Sequence, residues 1–245
     1  MRTLLLALSA LPLSACHADG ITGNGTAADA VPATGSGTSR TFAARDFAGV
    51  TLVGPDDVVV THGAAFSVRA EGDAKSLDQL EIAVRGGSLT VGRKREGLGW
   101  SGSTTGKVTV HVTLPKLTSV SLTGAGDLTV DRGEGDFDAK LTGAGNIRIG
   151  TLAAGSAGFD LTGPGDITVS GTADRIQVDI NGPGDFDGRG LTTNGAKIGI
   201  VGPGNVHAAV KGDADVSITG PGDAVLTGGA KCRVSGMGPG EARCS

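Results

Sequence analysis

The chain has 245 residues, of which 44 are glycine and seven aromatic (six Phe, one Trp, no Tyr), with a formal net charge of −4. Glycine at about 18% far exceeds the ordinary usage of about 7%. It does not fall at every third residue, so a collagen helix is excluded. The acidic balance excludes a bulk phosphate binder. An apolar share of 38% excludes a wholly disordered chain, and the one long apolar run, at the N-terminus, excludes a multi-span membrane protein.

Residues 1–16 read MRTLLLALSALPLSAC. Arg2 supplies a positive start, and Leu4 to Leu13 form an apolar run too short to cross a bilayer, so residues 1–15 read as an export signal peptide. Leu13-Ser14-Ala15-Cys16 resembles a bacterial lipobox, which predicts a lipoprotein acylated at Cys16 with palmitate-type chains. Several acyl chains on one cysteine anchor a protein firmly to a membrane. Loss of Arg2 with the leader leaves 20 basic against 25 acidic side chains, or −5. His17, rather than Asp, follows the cysteine, which resembles outer-membrane cargo under the enteric sorting rule. Residues 16–40 are rich in Gly, Ala, Thr and Ser and carry no apolar periodicity. They read as a lipid-anchored flexible tether with a reach of roughly 25–30 Å.

From residue 41 the chain becomes strand-rich. Phe47 to Val60 reads FAGVTLVGPDDVVV, with Gly54-Pro55-Asp56-Asp57 as a degenerate corner between two strands. Alternation predicts further strands at Phe66 to Ala70, Leu80 to Val84, Ser88 to Val91 and Val108 to Leu114. Asp73 to Leu80 can form a turn or two of helix. Arg95 to Gly106 is polar and glycine-rich around Trp100, and reads as an exposed loop with a possible binding role.

Beyond Leu117 the sequence repeats. Gly-(Ala/Pro)-Gly-(Asp/Asn/Glu) recurs as Gly124, Gly126 and Asp127; Gly143, Gly145 and Asn146; Gly163, Gly165 and Asp166; Gly182, Gly184 and Asp185; Gly202, Gly204 and Asn205; and Gly220, Gly222 and Asp223, with one more start at Gly238. The intervals are 19, 20, 19, 20, 18 and 18 residues. A fixed period near twenty marks a repeat array. Apolar residues alternate on both sides of each tetrapeptide, as in Val120 and Leu122 before Gly124 and Leu128 and Val130 after it. Each unit is therefore strand, sharp glycine bend, strand, looser turn. Stacking of identical corners favours a β-solenoid with coils of about 19 residues over the alternative, an antiparallel β-meander. Seven coils at the strand spacing make a rod roughly 35 Å tall. No linker-like break interrupts residues 41–245, which read as one all-β domain.

With Cys16 acylated, Cys232 and Cys244 remain, and in an exported protein they read as a disulfide closing the end of the rod. No histidine lies near them to complete a zinc site.

Several segments in order carry a resemblance. They are Phe47-Ala48-Gly49-Val50, Gly54 to Val60, Thr61-His62-Gly63, Phe66-Ser67-Val68, Gly87 to Val91, Val110 to Leu117 and Val120 to Asp127. Their order resembles the bacterial family described as putative auto-transporter adhesin, head GIN domain, over nearly all of residues 42–245. The resemblance implies a right-handed parallel β-helix on exported or lipid-anchored proteins. It implies no established activity and no catalytic residues.

No catalytic constellation emerges. Gly-x-Ser-x-Gly is absent, and His62, His111 and His207 each sit in or beside a strand run, as polar-face positions do. No corner completes Gly-x-Gly-x-x-Gly or opens a helix, and GSTTGKV at 102–108 is one residue short of a P-loop. Stacking places Asp127, Asn146, Asp166, Asp185, Asn205, Asp223 and Glu241 in one column. Each is expected to accept a hydrogen bond from its own corner's backbone rather than to hold a metal. No cofactor is implied. The sequence thus points to a non-enzymatic envelope lipoprotein, an adhesion, binding or scaffold module for a glycan or protein ligand. The contacts would be made by the Gly-x-Gly-Asp edge or the Arg93 to Lys107 loop. The alternative is a periplasmic glycan-binding or glycan-processing β-helix.

Overall fold

The computed structural model describes residues 30–94 and 106–245. The leader, Cys16, the first part of the tether and the segment around Trp100 lie outside the described residues. The elements run β1 (Ala33–Thr34), β2 (Ser39–Phe42), β3 (Gly49–Gly54), β4 (Asp57–His62), β5 (Ser67–Glu71), α1 (Ala74–Gln79), β6 (Leu80–Arg85), β7 (Ser88–Arg93), β8 (Thr109–Leu114), β9 (Ser119–Gly124) and β10 (Asp127–Gly143). They continue as β11 (Asn146–Thr162), β12 (Asp166–Asn181), β13 (Phe186–Val201), β14 (Val206–Val210), β15 (Asp213–Thr219), β16 (Ala224–Thr227), β17 (Lys231–Met237) and β18 (Ala242–Cys244).

Successive units pair in parallel, not as hairpins: Leu128 lies beside Ile147, Ile147 beside Ile167, and Ile167 beside Phe186. The fold is therefore the β-solenoid, and the meander is excluded. Each long strand bends as it winds, and the register shifts between coils mark the bends. Inward residues stack like on like. One column runs Leu52, Leu122, Leu141, Leu161, Ile180, Ile200 and Ile218, all buried. Phe159 and Phe186 fill the interior with ring centroids 4.9 Å apart. Small and β-branched residues suffice because the coil is narrow.

The face that precedes the corners contains ten strands in the order β6, β7, β3, β9, the later halves of β10 to β13, β15 and β17. At about 4.8 Å per strand that face is about 43 Å tall, more than the seven repeats alone provide. The β3–β4 coil lies between the β7–β8 coil and the β9–β10 coil, although it precedes both in sequence. The chain achieves this by turning back through β5 and α1: β5 runs antiparallel to β8, and β6 antiparallel to β7. Asp73 caps α1, its carboxylate accepting from the N–H groups of Lys75 and Ser76.

The tether boundary shifts. Residues 33–40, assigned to the tether on composition, instead enter the sheet: β2 pairs with β5, β1 pairs with β2, and Ala30 bridges Ala83. These edge strands are held by backbone hydrogen bonds and need no apolar pattern. Arg40 reinforces them by pairing with Asp78 of α1.

The two corner glycines act differently. The first, from Gly124 to Gly238, has φ between 111° and 134° in every repeat, a conformation open mainly to glycine. The second does not have a positive φ. A Cβ there would collide with the backbone carbonyl oxygen stacked beneath: Gly145 on Gly126, Gly165 on Gly145, Gly204 on Gly184. Its own N–H donates to the first glycine's carbonyl in the preceding coil, as from Gly145 to Gly124 (3.1 Å) and from Gly204 to Gly182 (3.1 Å). Gly145→Ala is expected to lower stability by about 3 kcal/mol or more, since backbone on both sides prevents relaxation. Ala144→Pro is expected to be nearly neutral, because proline already fills this position at 164, 183, 203 and 221. Urea unfolding of both variants checks the contrast.

Candidate functional site

The acidic column forms one continuous edge, but its hydrogen bonds run between coils rather than within corners. The Asp166 carboxylate accepts from the N–H of Asp185 (3.0 Å), Asp185 from Asn205 (2.8 Å), and Asp223 from Glu241 (2.8 Å); the Asn205 amide oxygen accepts from Asp223 (3.1 Å). At the lower end Asp57 accepts from the N–H of Asp127 (3.0 Å). The expectation that each side chain caps its own turn is thus corrected. A stacked coil offers its N–H one strand spacing away, and a short side chain reaches it directly.

Asparagine interrupts the column where charges would otherwise crowd. The Asn146 amide donates to Asp127 (2.8 Å), and the Asn205 amide donates to Asp185 (2.9 Å). Lys107 sits on Asp57 (3.1 Å) and Arg243 on Glu241 (3.0 Å). Repulsion between neighbours is thereby relieved along most of the edge. Among the described residues no group of three or more His, Cys, Asp or Glu side chains is placed to hold a metal ion. Adjacent carboxylates at the strand spacing resemble the separation used by retaining glycosidases. Here, however, they stand on an outward corner, and one oxygen of Asp166 is occupied by the coil above.

The structure brings the described ends of the Arg93 to Lys107 segment to the corner edge. β7 ends at Arg93 beside the strand that ends at Gly54, and β8 begins beside Asp57. Lys94 and Gly106 to Val108, the described ends of the intervening segment, therefore lie at this same edge. Asp56 occupies the position of a second corner glycine. The Asp56 carboxylate, 1% exposed, accepts from the Arg93 guanidinium (2.8 and 2.6 Å) and from the N–H of Val108 (2.9 Å). Arg93 also donates to the carbonyl of Gly106 (2.9 Å). This hydrogen-bonded pairing raises the Arg93 pKa further, despite burial. Arg93 is thus a structural clamp and not, as the sequence suggested, part of an exposed binding loop. An aspartate in place of the expected glycine at 56 was the available signal; its partner 37 residues away was not legible. Trp100 lies outside the described residues.

On the face after the corners, the Arg189 guanidinium and backbone N–H bind Asp187. That hydrogen bonding lowers the Asp187 pKa to about 2, against a smaller opposing effect of burial. His62 and His111 are exposed and His207 half-buried, at outward positions. Cys232 and Cys244 are joined by a disulfide that links β17 to β18.

A stacked parallel solenoid with charged, outward-facing columns defines a rigid repeat module. The chain belongs to the family described as Putative auto-transporter adhesin, head GIN domain, which matches residues 46–230. Three solved structures share the fold. A putative adhesin from Bacteroides fragilis is 18% identical, with a TM-score of 0.76 over 84% of this chain and 96% of that one. A putative lipid binding protein from Parabacteroides distasonis is 20% identical, with a TM-score of 0.68 over 87% and 98%. A putative adhesin from Parabacteroides merdae is 18% identical, with a TM-score of 0.62 over 85% and 95%. No curated protein matches the chain.

Two outcomes follow from these contacts. The Asp187 pKa is lower in the folded than in the unfolded chain, so its contribution to stability is full above about pH 4 and is lost as pH falls through about 2. Arg189→Gln is expected to move the Asp187 titration up toward the ordinary carboxylate range, read by NMR. Removing the Cys232–Cys244 bridge, which spans 12 residues, is expected to lower stability by about 3 kcal/mol, measured by denaturant unfolding of the double serine variant.

Proposed function

We propose that the protein is an exported, non-enzymatic adhesion module, anchored to the cell envelope by acylated Cys16 and holding its solenoid away from the membrane. The observation that carries this reading is the polarity of the rod. The chain enters at one end, where Ala30, β1 and β2 close over β5 and β6, and the β17–β18 coil lies at the other. An anchor at Cys16 would place the entry end nearest the membrane and the β17–β18 coil farthest from it. Residues 17–29, read as tether from their composition, give a reach of about 20 Å. Membership of an adhesin-type family supports the reading.

The test uses intact cells that carry an epitope after Ser245, with lysed cells as control. Antibody labelling of intact cells is the expected result; protection until lysis would contradict adhesion and leave a periplasmic role. In the same cells Cys16→Ser is expected to abolish incorporation of labelled palmitate.

A further inference from the structure

The two ends of the described rod differ. At the entry end the sheets finish in short antiparallel strands, and residues 30–31 bond across β6 through Ala30–Ala83 and the N–H of Val31 to Ile82. This closure blunts an edge that would otherwise accept a strand. At the other end β17 pairs only with β15 among the described residues, leaving seven residues of strand edge. Val234 continues an interior column above Val178, Ile198 and Val216, yet is 55% exposed, and Met237 is 77% exposed. The disulfide from Cys232 to Cys244 holds this edge in place.

We infer that a second copy of this chain docks here, β17 against β17, in an antiparallel pair with its two-fold axis at Val234. This rests on the adhesion reading only for its biological use; the contact itself stands on the edge. One closed end and one open end disfavour head-to-tail filaments and favour an isologous pair. Charge placement supports the register. Lys231 and Arg233 occupy one half of β17, and Ser235 and Met237 the other. The axis at Val234 sets Val234 against its own copy, Arg233 opposite Ser235 and Lys231 opposite Met237. No two cations then face each other, whereas an axis at Arg233 would oppose two guanidinium groups. The entry ends would lie about 90 Å apart at opposite poles, so that two anchored copies could join facing envelopes.

The test is sedimentation and small-angle scattering on the chain from His17 onward. A concentration-dependent dimer about twice the monomer's length is expected. Val234→Lys is expected to weaken it at least tenfold, with thermal unfolding confirming that this exposed site leaves the fold intact. Met237→Lys, which opposes two lysines, should weaken it likewise, while Met237→Glu should keep or tighten it. A monomer throughout the micromolar range, or a dimer indifferent to all three variants, would overturn the inference. Surface labelling with a monomeric protein would leave the adhesion module standing without this partner. A dimer confined to the periplasm would do the reverse.

Discussion

The structure depends on a backbone contact at the corner of each coil. The second glycine brings its backbone against the carbonyl stacked beneath, closer than any side chain permits. Its N–H bonds the carbonyl of the first glycine one coil back. This contact fixes the rise between coils and their rotational register together. Once the register is set, leucine falls on leucine inside and aspartate meets the next coil's N–H outside. A slip by one residue would turn every inward side chain outward. Proline at the second position fits the same logic. Ala125 and Ala144 donate a hydrogen bond that proline lacks, while proline restricts the unfolded chain.

The entry end shows what happens when that contact is missing. At this end Asp56 takes the place of a second corner glycine. Its carboxylate instead clamps Arg93 and Val108 across the gap. A buried ion pair of this kind is no guarantee of added stability. It holds the end of β7 to the residue that precedes β8. The insertion of the β3–β4 coil between later coils ties this end together through contacts distant in sequence.

Much of this was legible in the sequence, because one period governs both packing and turns. Alternating residues such as Leu128 and Val130 named the interior, and the spacing from Gly124 to Gly238 named the corners. The strands from Leu80 and Ser88 and the short helix after Asp73 also lay where expected. Other features were hidden because they belong to stacking order rather than to local pattern. Neither the interleaved coil nor the partner of Asp56 leaves a periodic trace. Residues 33–40 look like tether because an edge strand bonded through its backbone needs little from its side chains. The donors to the acidic column were not legible because both a turn and a stack offer an N–H to a short side chain, and only the coil spacing decides between them.

The central claim is that the corners are stacked backbone and not free turns. Amide hydrogen exchange of Gly126, Gly145, Gly165, Gly184, Gly204 and Gly222 tests it most directly, followed residue by residue by NMR. If each N–H is bound to the coil beneath, these amides will exchange as slowly as those of the buried strands, through opening of the stack as a unit. Exchange at the rate of exposed hairpin turns, with the strands still protected, would show that the corners do not hold the coils in register.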